Sequence, residues 1–251
     1  MQEYVLKLLE RNERIDGRKL DEYRNIKIEK SVIKRAEGSA RIKLGKTDVI
    51  VGIKLGLTEP FPDMPNMGVL KTEAEFTPIA SPDFEAGPPG EDATELARVV
   101  DRGIRESGSI DLENLCLKKG EKVWGVFVDI YIINHDGNLI DASALAAIEA
   151  LLNTKIPEIE GDKINREKLV KKLPILHKPV TVTIGKVKDK FIIDPTREEE
   201  EILEAKLSIA VMENDKICAM QKGGAHGLSQ NDMEMMIDLA IKKSKELRKF
   251  L

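Results

Sequence analysis

Residues 135–143, with the sequence HDGNLIDAS, have the form of a phosphate-binding loop that lacks the groups needed to bind phosphate. The loop lies between an apolar strand-like run at 123–133 and an apolar helix-like run at 142–152. Free N–H groups and the helix dipole attract anions to the start of a helix, and such sites usually add glycines, a hydroxyl group or an arginine. The position of the loop therefore favours an anion site.

The residues that follow Gly137 in this loop oppose that use. Asn138, Leu139 and Ile140 stand where a hydroxyl group and a cation would be expected. Asp141 comes next, and we expect its carboxylate to repel phosphate at the start of the helix. The sequence thus predicts a degenerate phosphate loop formed by Asn138, Leu139 and Ile140.

A second group that could bind a ligand is a row of arginines in the predicted helix at 94–107. Arg98, Arg102 and Arg105 fall within a sector of roughly 60°, at 100° per residue, opposite the apolar side chains of the helix. Guanidinium groups offer a planar fork to each phosphate, so this row suits a nucleic-acid backbone. The alternative is an ordinary solvated face, paired with Asp101 and Glu106.

An acidic run, DPTREEEE at 194–201, follows a predicted strand. Paired carboxylates could hold Mg²⁺ or act as acid and base. A run of four glutamates with no phosphate loop beside it more often forms a solvated, self-repelling edge. We therefore predict a solvated edge here.

The remaining motifs are weaker. Gly45-Lys46-Thr47 resembles the end of a P-loop, but Ala40 replaces the required earlier glycine and the segment lies in a predicted hairpin. Residues 222–227 (KGGAHG) indicate a flexible turn, with a ligand loop as the alternative. No cysteine lies at zinc-ligand spacing from any of the histidines, which are His135, His177 and His226. The sequence predicts no metal and no cofactor.

The elements that must position these groups follow from periodicity. Alternating apolar residues predict strands in the first half over 26–28, 40–44, 49–55, 69–79 and 123–133. Helical spacing predicts helices over 2–12, 91–107 and 142–153. Asp92 and Glu95 fit an N-cap and capping-box acid for the second helix.

The second half repeats the order of strands followed by a helix. Strands are predicted over 179–187, 190–194, 201–211 and 216–220, and a helix over 231–250. Residues 155–178 are polar and loop-like, with a possible short helix at 165–172. The sequence divides into an N-terminal helix and arm (1–25), a first lobe (26–155), a connecting segment (156–178) and a second lobe with the C-terminal helix (179–251).

Composition narrows the class of protein. The chain has 251 residues, 33% of them charged, and a net charge of −4, which argues against a protein that binds RNA alone over a broad basic surface. No apolar run has membrane length, and the N-terminal residues do not resemble a signal peptide. Two widely spaced cysteines, Cys116 and Cys218, give no disulfide framework, so we expect a cytoplasmic protein.

Several of these segments together resemble the RNase PH-type phosphorolytic exoribonucleases. Residues 14–18 (RIDGR), followed by Arg24, resemble the opening signature of that family. Residues 95–105 resemble its arginine helix. Asp136-Gly137, with Ala142-Ser143 further on, matches the frame of its phosphate loop. The resemblance extends from about residue 10 to residue 245.

The departures from the family pattern indicate the subtype. In active members a glycine, a hydroxyl residue and an arginine follow the Asp-Gly pair and bind the attacking phosphate, whereas this chain has Asn138, Leu139 and Ile140. Active members also carry two aspartates after the first hairpin of the second lobe. Asp194 matches the first, but Glu200 stands at the second. This pattern is similar to that of the non-catalytic RNase PH-like subunits of the archaeal exosome.

The resemblance implies an α/β (α+β) fold with two βαβ-type lobes of ribosomal-protein-S5-domain-2-like topology. It also implies a heterodimer with a catalytic RNase PH-like subunit, a ring of three such pairs, and cap subunits with S1 or KH domains. RNA would thread through the ring toward sites at the dimer interface. This chain would carry no catalytic residue and would contact RNA through Arg98, Arg102 and Arg105, with Arg98 and Arg102 the stronger candidates.

Two other functions remain open at this point. One is a phosphate-dependent 3′-to-5′ exoribonuclease that is active on its own. The other is a general RNA-binding module, which the acidic net charge disfavours.

Overall fold

The computed structural model describes residues 2–161 and 163–251. The helices and strands of the first half are α1 (Gln2–Glu10), β1 (Ile26–Lys30), β2 (Gly38–Leu44), β3 (Thr47–Thr58), β4 (Val69–Phe76), α2 (Glu91–Glu106), β5 (Cys116–Lys118), β6 (Lys122–Asn134) and α3 (Leu139–Leu152). Those of the second half are β7 (Lys155–Glu160), β8 (Lys163–Lys172), β9 (Val180–Val187), β10 (Lys190–Ile193), α4 (Arg197–Glu200), β11 (Ala205–Val211), β12 (Ile217–Gly223) and α5 (Gln230–Leu247).

The first half forms a six-stranded sheet in the order β1-β2-β3-β6-β4, with β5 paired to β6. Neighbouring strands are antiparallel except β4 and β6, which are parallel and are connected through α2. A parallel pair needs a crossover of this kind, usually a helix. The tight turn between β2 and β3 falls at Gly45, whose φ of 60° lies in the left-handed region that favours glycine.

The second half forms a four-stranded antiparallel sheet in the order β10-β9-β11-β12. The single-turn helix α4 connects β10 to β11, and α5 packs on β9 and β11. The α/β fold class predicted from the sequence is confirmed, and the four strands predicted in this half correspond to β9, β10, β11 and β12.

Helix α3 is the centre of the molecule. It packs on β2 and β3 of one sheet and on β9 of the other, and every residue from 140 to 151 is buried. Apolar side chains of both halves therefore belong to one continuous core. The predicted start of this helix at residue 142 is wrong, because the helix begins at Leu139 and takes two residues of the predicted loop into its first turn.

Two further local predictions are wrong. Residues 155–160 and 163–172 form the paired strands β7 and β8, instead of a loop with a short helix at 165–172. Most side chains of β8 are exposed, so no apolar alternation marks it as a strand. Helix α2 begins after Gly90 with no side-chain cap, so Asp92 is not its N-cap. The division into segments 1–25, 26–155, 156–178 and 179–251 stays a prediction.

No helix within residues 2–161 and 163–251 is both long enough and apolar enough to cross a membrane.

The close packing of α3 on the first sheet makes Gly38 of β2 sensitive to substitution. A Cβ atom added there would lie 2.5 Å from the carbonyl oxygen of Ala150 and 2.8 Å from the Cα of Thr154, both backbone atoms of the α3 end that cannot move aside. We expect Gly38→Ala to lower the free energy of unfolding by about 1–3 kcal/mol, measured by urea denaturation. The matched control is Gly227→Ala, where the added Cβ meets no atom within 4 Å. Equal stability of the two variants would contradict this account.

Candidate functional site

The degenerate phosphate loop connects β6 to α3 and is held against the turn at α4. Gly137 has a φ of 85°, and a Cβ there would lie 2.5 Å from the carbonyl carbon of Thr196 and 2.7 Å from the amide nitrogen of Arg197. Asn138 also adopts the left-handed conformation, with φ 53° and ψ 48°. The loop keeps the glycine-dependent path of an anion-binding turn although its side chains have changed.

At the start of α3, donors of Asn138 are already bonded to carboxylates of the chain itself. The backbone N–H of Asn138 donates to Oε1 of Glu200 at 2.9 Å. The side-chain Nδ2 of Asn138 donates to Asp141 at 3.0 Å and to Asp194 at 2.9 Å. A donor that could have met phosphate is therefore already bonded to an acidic residue.

The prediction that Asp141 faces the anion position is wrong. Asp141 is only 2% exposed, and its Oδ2 accepts hydrogen bonds from the Tyr23 hydroxyl, Asn138 Nδ2 and the Thr183 backbone N–H, each at 3.0 Å. Burial raises the pKa of Asp141 to about 6, although these hydrogen bonds oppose the rise. Glu200, not Asp141, is the carboxylate that occupies the start of the helix.

A cleft of about 720 Å³ lies beside this loop. Leu139 and Ile140 contribute apolar side chains to its wall, where a phosphate site would have polar groups. Phe84 also lines the cleft and stacks on His135, with ring centroids 5.5 Å apart. Burial and the nearby charge of Arg197 lower the pKa of His135, so this imidazole is neutral at pH 7.

The charged groups of the cleft are mainly acidic. Its carboxylates are Asp92, Glu95 and Glu200, and its cation is Lys206. Burial raises the pKa of Glu200, although the bond from Asn138 and the charge of Lys206 oppose the rise. The balance of charge disfavours an anion as small and highly charged as inorganic phosphate.

The acidic run at 194–201 contains buried ion pairs at Asp194 and Glu199, so the predicted solvated edge is wrong for these two carboxylates, while Glu201 is exposed. Asp194 and Glu199 are fully buried. Arg24 binds both carboxylate oxygens of Asp194, with Nε to Oδ2 at 2.9 Å and Nη2 to Oδ1 at 2.7 Å. Arg14 binds Glu199 in the same bidentate way. Burial alone would raise the pKa of Asp194, but the hydrogen bonds and charge of Arg24 lower it below its ordinary value.

Arg24 also holds the backbone of the degenerate loop. Its Nη2 donates to the carbonyl oxygen of Gly137 at 3.2 Å, and its Nη1 forms an ion pair with Asp136 at 3.2 Å. Thr47, from the hairpin that resembled the end of a P-loop, donates to the same Gly137 carbonyl at 2.7 Å. That hairpin therefore supports the loop.

The arginine row on α2 divides into two kinds of residue. Arg105 forms an ion pair with Asp101 at 2.9 Å and donates to the carbonyl oxygen of Leu70 at 3.0 Å. Arg98 and Arg102 are exposed and form no side-chain hydrogen bond or ion pair with the described part of the chain. Two of the three guanidinium groups are thus free to meet a ligand.

Arg98 and Arg102 line an open groove of about 1100 Å³ between α2 and β12. Glu95, one turn before Arg98, lines both this groove and the cleft beside the degenerate loop. The structure therefore places the two predicted sites on adjoining sides of one helix. Lys222 and Gly223 end strand β12, residues 224–226 form the bend that follows, and neither His177 nor His226 lines the cleft with His135. Within residues 2–161 and 163–251 no group of acidic, histidine or cysteine side chains is arranged to hold a metal ion.

Sequence reasoning missed the roles of Arg14, Arg24 and Glu199. Arg14 and Arg24 belong to the segment 14–24, which indicated only the resemblance to the family. Arg14 lies 185 residues from Glu199 in sequence, and Arg24 lies 170 residues from Asp194. Local spacing gives no sign of partners at such distances. The available signal was a charged segment with three arginines, Arg14, Arg18 and Arg24, in a chain of acidic net charge.

Comparison with known proteins gives consistent matches along the chain. Residues 22–157 match the model for domain 1 of the 3′ exoribonuclease family, and residues 177–243 match the model for domain 2. The exosome complex component Rrp42 of Methanothermobacter thermautotrophicus is 50% identical, with 98% of this chain and 92% of that protein covered. The Archaeoglobus fulgidus protein of the same name is 49% identical, with 98% and 93% covered.

Solved structures agree with the sequence matches. A chain in the structure described as the Archaeoglobus fulgidus exosome with RNA bound to the active site superposes with a TM-score of 0.93 at 48% identity, covering 99% of this chain and 96% of that one. A chain of an archaeal exosome core gives a TM-score of 0.88 at 45% identity, covering 99% and 94%.

The buried state of Asp141 predicts a pH dependence of stability. Its pKa is about 6 in the folded protein and 3.8 in the unfolded reference, so the folded state binds this proton more tightly. The resulting stabilisation is fully present below pH 3.8 and is lost as the pH rises through about 6. Asp141→Asn cannot titrate. We expect the free energy of unfolding of the wild type, relative to Asp141→Asn, to fall by about 1–3 kcal/mol between pH 4 and pH 7.5.

The measurement is urea denaturation of both proteins across this pH range. The other carboxylates are common to both, so the difference isolates position 141. A difference that stays constant with pH, or rises with it, would show that Asp141 titrates in the ordinary range.

Proposed function

The chain belongs to the 3′ exoribonuclease family, as the resemblance to the RNase PH type predicted, and we propose that it is a non-catalytic subunit of an exosome ring. In this role it supports 3′-to-5′ RNA degradation by a catalytic partner. It shapes the active site of that partner and contacts the RNA. The archaeal Rrp42 proteins and exosome-core chains that it resembles along nearly its whole length support this assignment.

One observation carries the non-catalytic assignment. The backbone N–H at the start of α3 is bonded to Glu200, and Leu139 and Ile140 line the cleft beside it. Phosphorolysis requires inorganic phosphate to be fixed in line with the terminal phosphodiester, with its charge neutralised in the transition state. The apolar side chains of Leu139 and Ile140 provide neither the hydrogen-bond donors nor the cation that these requirements need. The rival function, an exoribonuclease active on its own, has no such support at this loop.

The partners follow from the family resemblance. We propose a heterodimer with a catalytic RNase PH-like subunit, assembled as a ring of three pairs, with S1- or KH-domain subunits as a cap. RNA would enter through the ring and pass α2 on its way to the partner's active site. The two free cysteines suit a reducing compartment, so the proposal places the protein in the cytoplasm.

The RNA contact is assigned to Arg98 and Arg102. Both are exposed, lie one helical turn apart, and line the same groove. Arginine offers several N–H donors in a fixed plane and no acceptor, which suits backbone phosphates. Arg105 contributes less, because Asp101 and the Leu70 carbonyl already engage it. These contacts hold RNA without participating in bond cleavage.

The isolated chain should not release nucleoside diphosphates from RNA in the presence of inorganic phosphate. The same chain, assembled with a catalytic RNase PH-like partner, should support their release. Chromatography of the reaction products measures both, and the partner subunit assayed alone is the reference. Sustained phosphorolysis by this chain without a partner would refute the non-catalytic assignment.

Charge reversal at the arginine row should weaken RNA binding by the assembled ring. We expect Arg98→Glu and Arg102→Glu each to lower the affinity for a single-stranded RNA about ten-fold or more, because a charge-assisted hydrogen bond to phosphate is lost. The slope of log affinity against log salt should also fall in magnitude by about 0.7 for each phosphate contact removed. Fluorescence anisotropy in phosphate-free buffer measures binding without degradation.

The matched control is Arg11→Glu, which makes the same change of charge at another exposed arginine, just after α1. Size-exclusion chromatography should show intact rings for all three variants. If both α2 variants bind RNA as tightly as the control, the arginine row is an ordinary solvated face.

A further inference from the structure

The wall of the groove opposite the arginines is formed by Gln221 of β12. Gln221 pairs with Ser208 of β11. The hydroxyl groups of Ser208 and Thr183 form a hydrogen bond at 2.8 Å, and both lie on the face of the second sheet that is turned toward α2. Directly paired residues of an antiparallel sheet lie on the same face, so the Gln221 side chain also emerges toward α2. It lines the groove together with Arg98 and Arg102.

The Gln221 amide is held only loosely. Its Nε2 donates to Oε1 of Glu95 at 3.4 Å and to the carbonyl oxygen of Lys222 at 3.5 Å, which are long hydrogen bonds. Its Oε1 accepts no hydrogen bond from the residues that the structure describes. The side chain is half-buried, so part of it meets solvent in the groove. The groove therefore holds a neutral acceptor beside two unpaired cations.

These groups match the parts of one ribonucleotide. The guanidinium groups of Arg98 and Arg102 can only donate and therefore take the phosphates. The other strong acceptors that line the groove are the carboxylates of Glu91 and Glu95, which repel a phosphate backbone. A neutral amide oxygen instead accepts from a hydroxyl group without that repulsion. The 2′-hydroxyl of ribose is such a donor, is present in every ribonucleotide, and lies next to the 3′ phosphate.

We infer that Gln221 is a further RNA-contact residue, whose Oε1 accepts a hydrogen bond from the 2′-hydroxyl of the nucleotide that Arg98 and Arg102 hold. This inference rests on the proposed RNA contact of α2 and adds to it a preference for RNA over DNA. The groove, at about 1100 Å³, has room for the nucleotide between α2 and β12. The preference does not depend on the base, because the contact is made to the sugar.

The test uses the assembled ring in phosphate-free buffer and Gln221→Met, which keeps the length of the side chain and removes its hydrogen-bonding amide. The probes are fluorescent single-stranded oligoadenylate and oligouridylate, each as RNA and as DNA of equal length. We expect Gln221→Met to weaken binding of both RNAs about three- to ten-fold and to leave binding of both DNAs unchanged. The matched control is Gln230→Met, at an exposed glutamine of α5, which should bind all four probes as the wild type does.

The outcomes separate this inference from the proposed function. Arg98→Glu should weaken binding of RNA and DNA alike, since both carry phosphates. If Arg98→Glu weakens binding and Gln221→Met does not, the 2′-hydroxyl contact is refuted and the arginine contact stands. An equal loss for RNA and DNA, or a loss confined to one base, also overturns the ribose assignment. If neither Arg98→Glu nor Arg102→Glu has an effect, the RNA contact of α2 itself is refuted.

Discussion

The structure depends on a buried charge cluster that connects three parts of the chain distant in sequence. Arg14 and Arg24 come from the N-terminal arm, Asp194 and Glu199 follow β10, and the Gly137 carbonyl belongs to the loop before α3. Removing one partner of a buried pair leaves an uncompensated charge and destabilises the fold strongly, whereas the intact pair roughly balances its desolvation cost. The cluster therefore fixes the positions of the segments, and the apolar core supplies most of the stability.

This constraint explains why the degenerate loop keeps its shape without its chemistry. Gly137 still adopts the left-handed conformation, and Arg24 and Thr47 still hold its carbonyl oxygen. The backbone path of the loop is thus determined by the contacts of Arg24 and Thr47, while phosphate binding depends on the side chains that line the cleft. The cleft positions can therefore carry Leu139, Ile140 and Glu200 without disturbing the backbone. In the proposed function, the subunit keeps a surface that fits its partner and does not itself perform the reaction.

The sequence predicted the parts of the fold that follow from local pattern. Apolar alternation identified the strands of the two larger sheets except the three-residue β5, and helical spacing identified α2 and α5. Strand β8 was missed because its side chains are largely exposed, so no apolar alternation marks it. The local sequence of 194–201 gives no sign that Glu199 is buried, because the arginine that neutralises it, Arg14, lies 185 residues away in sequence. The orientation of Asp141 likewise depends on Tyr23 and Thr183, which no spacing rule connects to it. The resemblance to the family supplied the long-range arrangement that local pattern could not.

Helix α3 has a consequence for how the two halves relate. It belongs by connectivity to the first half, yet it packs against strands of both sheets and is buried on all sides. A chain cut after β6 or after α3 would expose to water the apolar surface that the missing half covers. The halves match separate family models, but neither half can exclude solvent from its interior alone. Synthesis of the C-terminal half must therefore be complete before the N-terminal half can reach its final packing.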